Sequence, residues 1–283
     1  MLIFAPFLEW RNDLNSKSGE GPSDQHGMVH VAIAPPKTLD EEIVKRVASL
    51  VGKEIIDTRL LLSGEIPRII AAYSDSNAAT SIVQSLRDAG LVAFSFGDSE
   101  LRNRPAGFVA HTAKSGAGEV TFRDRRGGEA RVEAGDAFLL LRGRIRRPPQ
   151  EKVAATKMKL NVPATVLAGG IPIVRRVAKK TDIESFQVED FVRIFDRRSS
   201  DPCVEIFQTH MDYAFLGPER TPTAPENFKI LVTKLREWFP LAIFDERLTR
   251  HYKTDVPAAG PSEALEINCK LIYLCHLAME ERG

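Results

Sequence analysis

From Val29 to Phe96 the apolar positions switch cleanly between strand-like and helix-like spacing. Val29–Ala34 is a short apolar run closed by Pro35-Pro36, the pattern of a buried strand. Thr38 and Glu41 form a T-x-x-E capping box ahead of Ile43, Val44, Val47, Leu50 and Val51 at helical spacing, and Gly52 stops that helix. Ile55–Leu62 and Ile66–Tyr73 read as two strands joined across Ser63-Gly64. The Ser74–Asn77 cluster opens a second helix with Ala79, Ile82, Val83, Leu86 and Ala89 on one face, and Leu91–Phe96 is a closing strand. The predicted order βαββαβ is that of the ferredoxin-like split motif, two helices over a four-stranded antiparallel sheet.

Residues 97–106 read as a polar linker, and beyond them the spacing shortens. Phe108–Thr112, Glu119–Arg123, Ala130–Glu133, Ala137–Arg147, Thr165–Leu167, Ile171–Lys179, Gln187–Asp196 and Cys203–Met211 are strand-like runs separated by Gly- and Asp-containing turns, the texture of an antiparallel barrel or sandwich. Val153–Val162 fits a strand or a short helix equally. After Thr221–Glu226, Phe228, Leu231, Val232, Leu235, Trp238 and Phe239 fall on one helical face, and Pro240 ends the run. Many short strands followed by one amphipathic helix with a late Trp resemble the PH-type barrel over residues 107–240; the resemblance rests on element order and implies a barrel plugged by that helix. Residues 241–254 read as a strand or extended segment, and Ser262–Arg282 as a last helix whose apolar residues cover more than one stripe. Such a helix is covered on two sides, either between the units of the chain or partly in a homodimer contact.

The expected fold class is therefore α+β: a flexible segment at 1–27, a ferredoxin-like unit at 28–97, a β-rich, PH-like unit at 105–250, and a loop and helix at 251–283. The segment 1–27 is Ser-, Gly- and Asp-rich after an apolar start, and Met28 begins the patterned region directly.

Composition adds little to this but excludes some classes. Hydrophobic residues make up 43% and charged residues 27%, which is ordinary globular usage. Three cysteines, Cys203, Cys269 and Cys275, form no C-x-x-C pair and suggest reduced thiols. With no apolar run near the ~20 residues of a membrane span and no signal-peptide pattern, a cytoplasmic protein is expected. Charge changes the picture more. Residues 121–180 carry fifteen Lys/Arg against five Asp/Glu, although the whole chain has a net charge of only +1. Within this block, A-F-L-L-L-R-G-R-I-R-R places Arg142, Arg144 and Arg146 on one face of a strand behind Phe138 and Leu140, with Leu139, Leu141 and Ile145 facing a core. Arg175 and Lys179 extend the candidate surface. Arginine suits phosphate and carboxylate recognition, so the row is a candidate binding face for an anionic ligand or a protein partner. Nucleic acid is disfavoured because aromatic residues are sparse there.

Catalytic signatures are thin. His210 and Asp212 share a strand-end face, as a general base and its orienter would. A metal set of His210, Asp212 and Asp245 has nothing to select it, and adjacent Cys275 and His276 point about 100° apart on a helix. No phosphate loop, nucleophile elbow or zinc-binding H-E-x-x-H is present. The reading is a non-enzymatic regulatory or scaffolding protein without a cofactor; the rival is a hydrolase or metal-dependent enzyme centred on His210 and Asp212.

Overall fold

Apolar faces on both sides of one C-terminal helix organise the molecule. The computed structural model describes residues 27–102, 107–147, 157–160, 174–177, 187–250 and 260–282. It is a mixed α+β protein.

The first unit contains β1 (Val29–Ile33), α1 (Glu41–Val51), α2 (Ile55–Leu62), β2 (Arg68–Tyr73), α3 (Ser76–Asp88), β3 (Ala93–Gly97) and α4 (Asp98–Arg102). Its sheet is antiparallel, with β1 between β2 and β3. The expected four-stranded sheet loses one member, because Ile55–Leu62 is helix α2 and not a strand. An eight-residue apolar run carries no decisive period. As a helix it buries Thr58 and Leu62, one turn apart, and leaves Ile56 and Leu60 exposed. The cap of α1 also differs from expectation: the Asp40 carboxylate, and not Thr38, accepts the Ile43 N–H at 2.7 Å. Gly52 ends α1 at φ 65°, the left-handed position that favours glycine. Residues 98–102, read as linker, are helical with Leu101 buried.

In the second unit β4 (Thr112–Ser115), β5 (Glu119–Arg123) and β6 (Glu129–Glu133) form a three-stranded antiparallel sheet. β7 (Leu139–Arg147), β10 (Gln187–Phe195), β11 (Val204–Phe207) and β12 (Ile243–Leu248) form a mixed sheet in the order β11-β10-β7-β12, with β12 parallel to β7. Among the described residues β8 (Lys157–Leu160) and β9 (Val174–Val177) pair only with each other, Lys159 opposite Arg175. The hairpin between β10 and β11 is as expected. None of the described sheets closes into a barrel. A 3-10 helix at Tyr213–Glu219 precedes α5 (Ala224–Trp238). The last helix is α6 (Pro261–Glu280). The expected run Thr165–Leu167, Lys179 and residues 1–26 lie outside the described residues.

Alternation then assigns every face. Val31, Ile33, Ile70 and Ala93 pack with α1 and α3, while Ala32, Phe94 and Phe96 face Ile267, Leu271 and Cys275 of α6. The opposite side of α6 presents Leu265, Cys269, Ile272 and Tyr273 to Leu139, Leu141, Phe191 and Phe195. The far face of that second sheet, Leu140, Val192, Ile194 and Ile206, closes over α5 and the inner face of β4-β5-β6. α6 is thus the central layer, buried intramolecularly on two sides. Phe138, expected on the face of Leu140, packs instead beside Tyr273 with the α6 cluster.

Candidate functional site

The arginine row meets an acid that lies far away in sequence. Asp190 stands directly opposite Arg144 in the β7–β10 register. Its carboxylate accepts from Arg144 Nε at 2.7 Å and from Arg142 Nη2 at 3.0 Å, and Arg142 is also 3.6 Å from Glu246. Burial alone would raise the Asp190 pKa, but the hydrogen bonds from Arg144 and Arg142 outweigh it and hold the carboxyl below its ordinary value. Two guanidinium groups thus face two carboxylates, and this part of the row carries no surplus charge. The backbone of Arg146 continues β7 and that of Arg175 lies in β9; their side chains, and all of Lys179, lie outside the described residues.

His210 and Asp212 are placed by a turn. The Asp212 carboxylate accepts the Ala214 N–H at 3.0 Å and so caps the 3-10 helix. The His210 carbonyl lies 2.5 Å from Nδ1 of His111, and its ring tilts against Phe207. That carboxylate is engaged in capping, as expected of an aspartate at a helix start.

The charged cluster that the structure does assemble is Asp245, Arg247 and His276. Asp245 Oδ2 lies 2.8 Å from His276 Nε2 and accepts from Arg247 Nη2 at 2.6 Å, and Arg247 Nη1 donates to the Glu65 carbonyl at 3.1 Å. Burial would raise Asp245, but the bonds from His276 and Arg247 prevail and hold it well below the usual carboxylate range. These contacts tie β12, α6 and the loop before β2 together. Beside His276, burial pushes the Cys275 thiol up, so it is a poor source of thiolate. A second buried cluster has Arg193 between Glu205 and Glu266, at 2.8 and 2.5 Å. Both clusters are enclosed by core elements, and ionic pairing accounts for their geometry.

An open concavity lies elsewhere. The outward faces of β4, β5 and β6 form the floor of a trough of about 610 Å³, walled by Phe215, Leu216 and Glu219 of the 3-10 helix and by Lys234 and Trp238 of α5. Cross-strand register sets its floor in two rows, Thr112–Arg123–Glu129 and Lys114–Thr121–Arg131. Arg123 lies 2.6 Å and Arg131 3.5 Å from Glu129, and Lys234 lies 2.6 Å from Glu219. Four cations and two carboxylates line it, a surplus of two positive charges beside an apolar wall. The sequence showed β5, β6 and the late Trp238, but the expected strand Phe108–Thr112 overlaps β4 at Thr112 alone, and Lys114 and Ser115 continue the strand where a turn was expected. Nothing in the spacing shows that the 3-10 helix and the end of α5 border this sheet's open face.

Among the described residues no three His, Cys, Asp or Glu side chains gather as a metal ion would require, and no helix is long and apolar enough to cross a membrane. No family model, curated protein or solved structure matches the chain.

Proposed function

We propose that the chain is a non-enzymatic regulatory or scaffolding protein that recognises a protein partner, and that the trough between β4-β5-β6 and α5 is its recognition surface. The carrying observation is the trough itself: a half-apolar concavity with surplus positive charge, whose floor is fixed by strand register and whose wall is fixed by α5. Recognition surfaces combine apolar anchors with a charged surround in this way, and Trp238, Phe215 and Arg131 are the anchor types that dominate such contacts. Arg142 and Arg144 are less suited to an anionic ligand because Asp190 and Glu246 already occupy their guanidinium groups. Kinship of the second unit to PH-type barrels is supported only by its order of strands followed by α5. Ferredoxin-like kinship of the first unit is supported only by its two β-to-helix-to-β returns.

The test is a peptide-display selection on the full chain, counter-selected against a Trp238→Ala, Lys114→Glu double variant of unchanged circular dichroism. Enrichment of peptides that lose binding to the variant is expected. A selection that returns no such peptides removes the trough as a recognition surface.

A further inference from the structure

We infer that the trough takes an extended acidic segment of a partner protein, added as a strand to the edge of β4. This rests on the reading above and specifies its ligand.

The geometry begins with strand order. β4 is an outer strand of its sheet, paired only with β5. The outer strand of the neighbouring sheet is already covered: Glu205 of β11 exchanges backbone hydrogen bonds with Phe108 and Ala110, at 2.8 and 2.9 Å. Of the two outer strands of the trough's own sheet, β4 is the one that borders the apolar wall. β4 has no such covering strand beside it among the described residues; the approach to the 3-10 helix holds only the start of that helix, where the Asp212 N–H donates to the His111 carbonyl at 2.7 Å. All four residues of β4 line the trough: Thr112 and Lys114 of its outward face, buried Ala113 of its inward face and exposed Ser115 at its end. A groove that touches only one face of a strand would meet alternate residues. One that touches consecutive residues runs along the strand's edge, where the unpaired N–H and C=O groups point. An extended chain lying there gains main-chain hydrogen bonds, and its alternate side chains read the surroundings.

Those surroundings differ by side. On the floor side, an incoming strand about 4.8 Å from β4 places every second side chain next to Thr112 and Lys114. Arg123 and Arg131 lie on the rows behind them. Glu129 is shared between these two arginines, and exposed Lys114 stands outside that pairing. This side therefore favours carboxylates. On the other side stand Phe215, Leu216 and Trp238, which favour apolar side chains. The ligand chemistry is an extended segment of alternating acidic and apolar residues, roughly four to six residues long to match the four of β4.

The experiment uses the full chain and a fluorescein-labelled pool of seven-residue peptides in which Glu or Asp alternates with Val, Leu or Phe, followed by anisotropy. Three companions are read beside it: the same pool with Lys in place of the acids, the pool N-methylated at alternate backbone nitrogens, and the Lys114→Glu protein. Binding of the acidic pool is expected, weakened at least tenfold by the Lys pool, by N-methylation at the pairing positions and by Lys114→Glu. Equal binding of the N-methylated pool overturns strand addition, and equal binding of the Lys pool overturns the acidic preference. No binding of the acidic pool, or a concentration-dependent dimer lost in Lys114→Glu and showing the trough to be filled by a second copy, overturns the inference. If the display selection nevertheless yields trough-dependent peptides of another pattern, the reading of the trough as a recognition surface stands without it. If that selection also yields none, both fall.

Discussion

Asp245 shows how much of this protein's polar chemistry is structural. Its carboxylate is 5% exposed and holds both Arg247 and His276. Because the folded-state pKa is depressed, the stabilisation is fully present above the unfolded carboxyl value of about 3.9 and is lost as pH falls towards the folded value. Asp245→Asn should therefore cost about 3 kcal/mol at pH 7, where it leaves a half-buried guanidinium without its counter-charge. In urea titrations between pH 7 and pH 3 the gap from wild type should narrow below about pH 4; a gap of constant size would refute the role given to the charge. None of this was readable in the chain. The Arg142–Arg144 alternation was plain, but its partner Asp190 lies 46 to 48 residues away and meets it only through the β7–β10 register. The 100° divergence of Cys275 and His276 was readable, since it depends on helix geometry alone. Their separate fates, one in the α6 packing and one on Asp245, follow from it.

At the scale of elements, periodicity served where an element is long or has one solvated face and failed in short runs without polar alternation. α1, α3 and α5 fall where their apolar spacing places them, with Asp75 capping α3 and Thr223 capping α5. The run Ile55–Leu62 has no polar alternation to separate strand from helix, and the sheet consequently has three strands where four were expected. Gly143 is the residue in β7 whose purpose the sequence hid. In R-G-R-I-R it looks like a weak point, yet any side chain there would collide with the Phe191 ring and with Cβ of Leu248. Gly143→Ala should destabilise by about 1–3 kcal/mol through overpacking. Phe191→Leu added to it should recover part of the loss in thermal melts, whereas Phe191→Leu alone destabilises through the space it leaves. Strict additivity of the two would exclude the proposed collision.

For the molecule as a whole, α6 decides cooperativity. One of its faces belongs to the core of the β2-β1-β3 sheet and the other to the core of the β11-β10-β7-β12 sheet. Lys270 adds contacts to the Glu100 carbonyl at 2.8 Å and to Asp201 at 3.0 Å. Leu271→Ala, facing the first sheet, should cost about 2–5 kcal/mol. It should also speed amide exchange in both sheets, since neither keeps its cover when α6 loosens. Faster exchange confined to residues 28–102 would show that the halves open independently. The layer that unites the molecule is also the last described segment to be synthesised. While a nascent chain is still short of residue 261, β1, β3, β7 and β10 have been translated, but the apolar faces that α6 will cover stand bare. Contacts joining residues 170 positions apart, such as Lys270 to Glu100, form only at the end and slow the search. Biogenesis, more than the finished fold, is where this chain is exposed to aggregation and to chaperone capture. A truncation just before α6 would keep every residue of the trough and still yield an insoluble product.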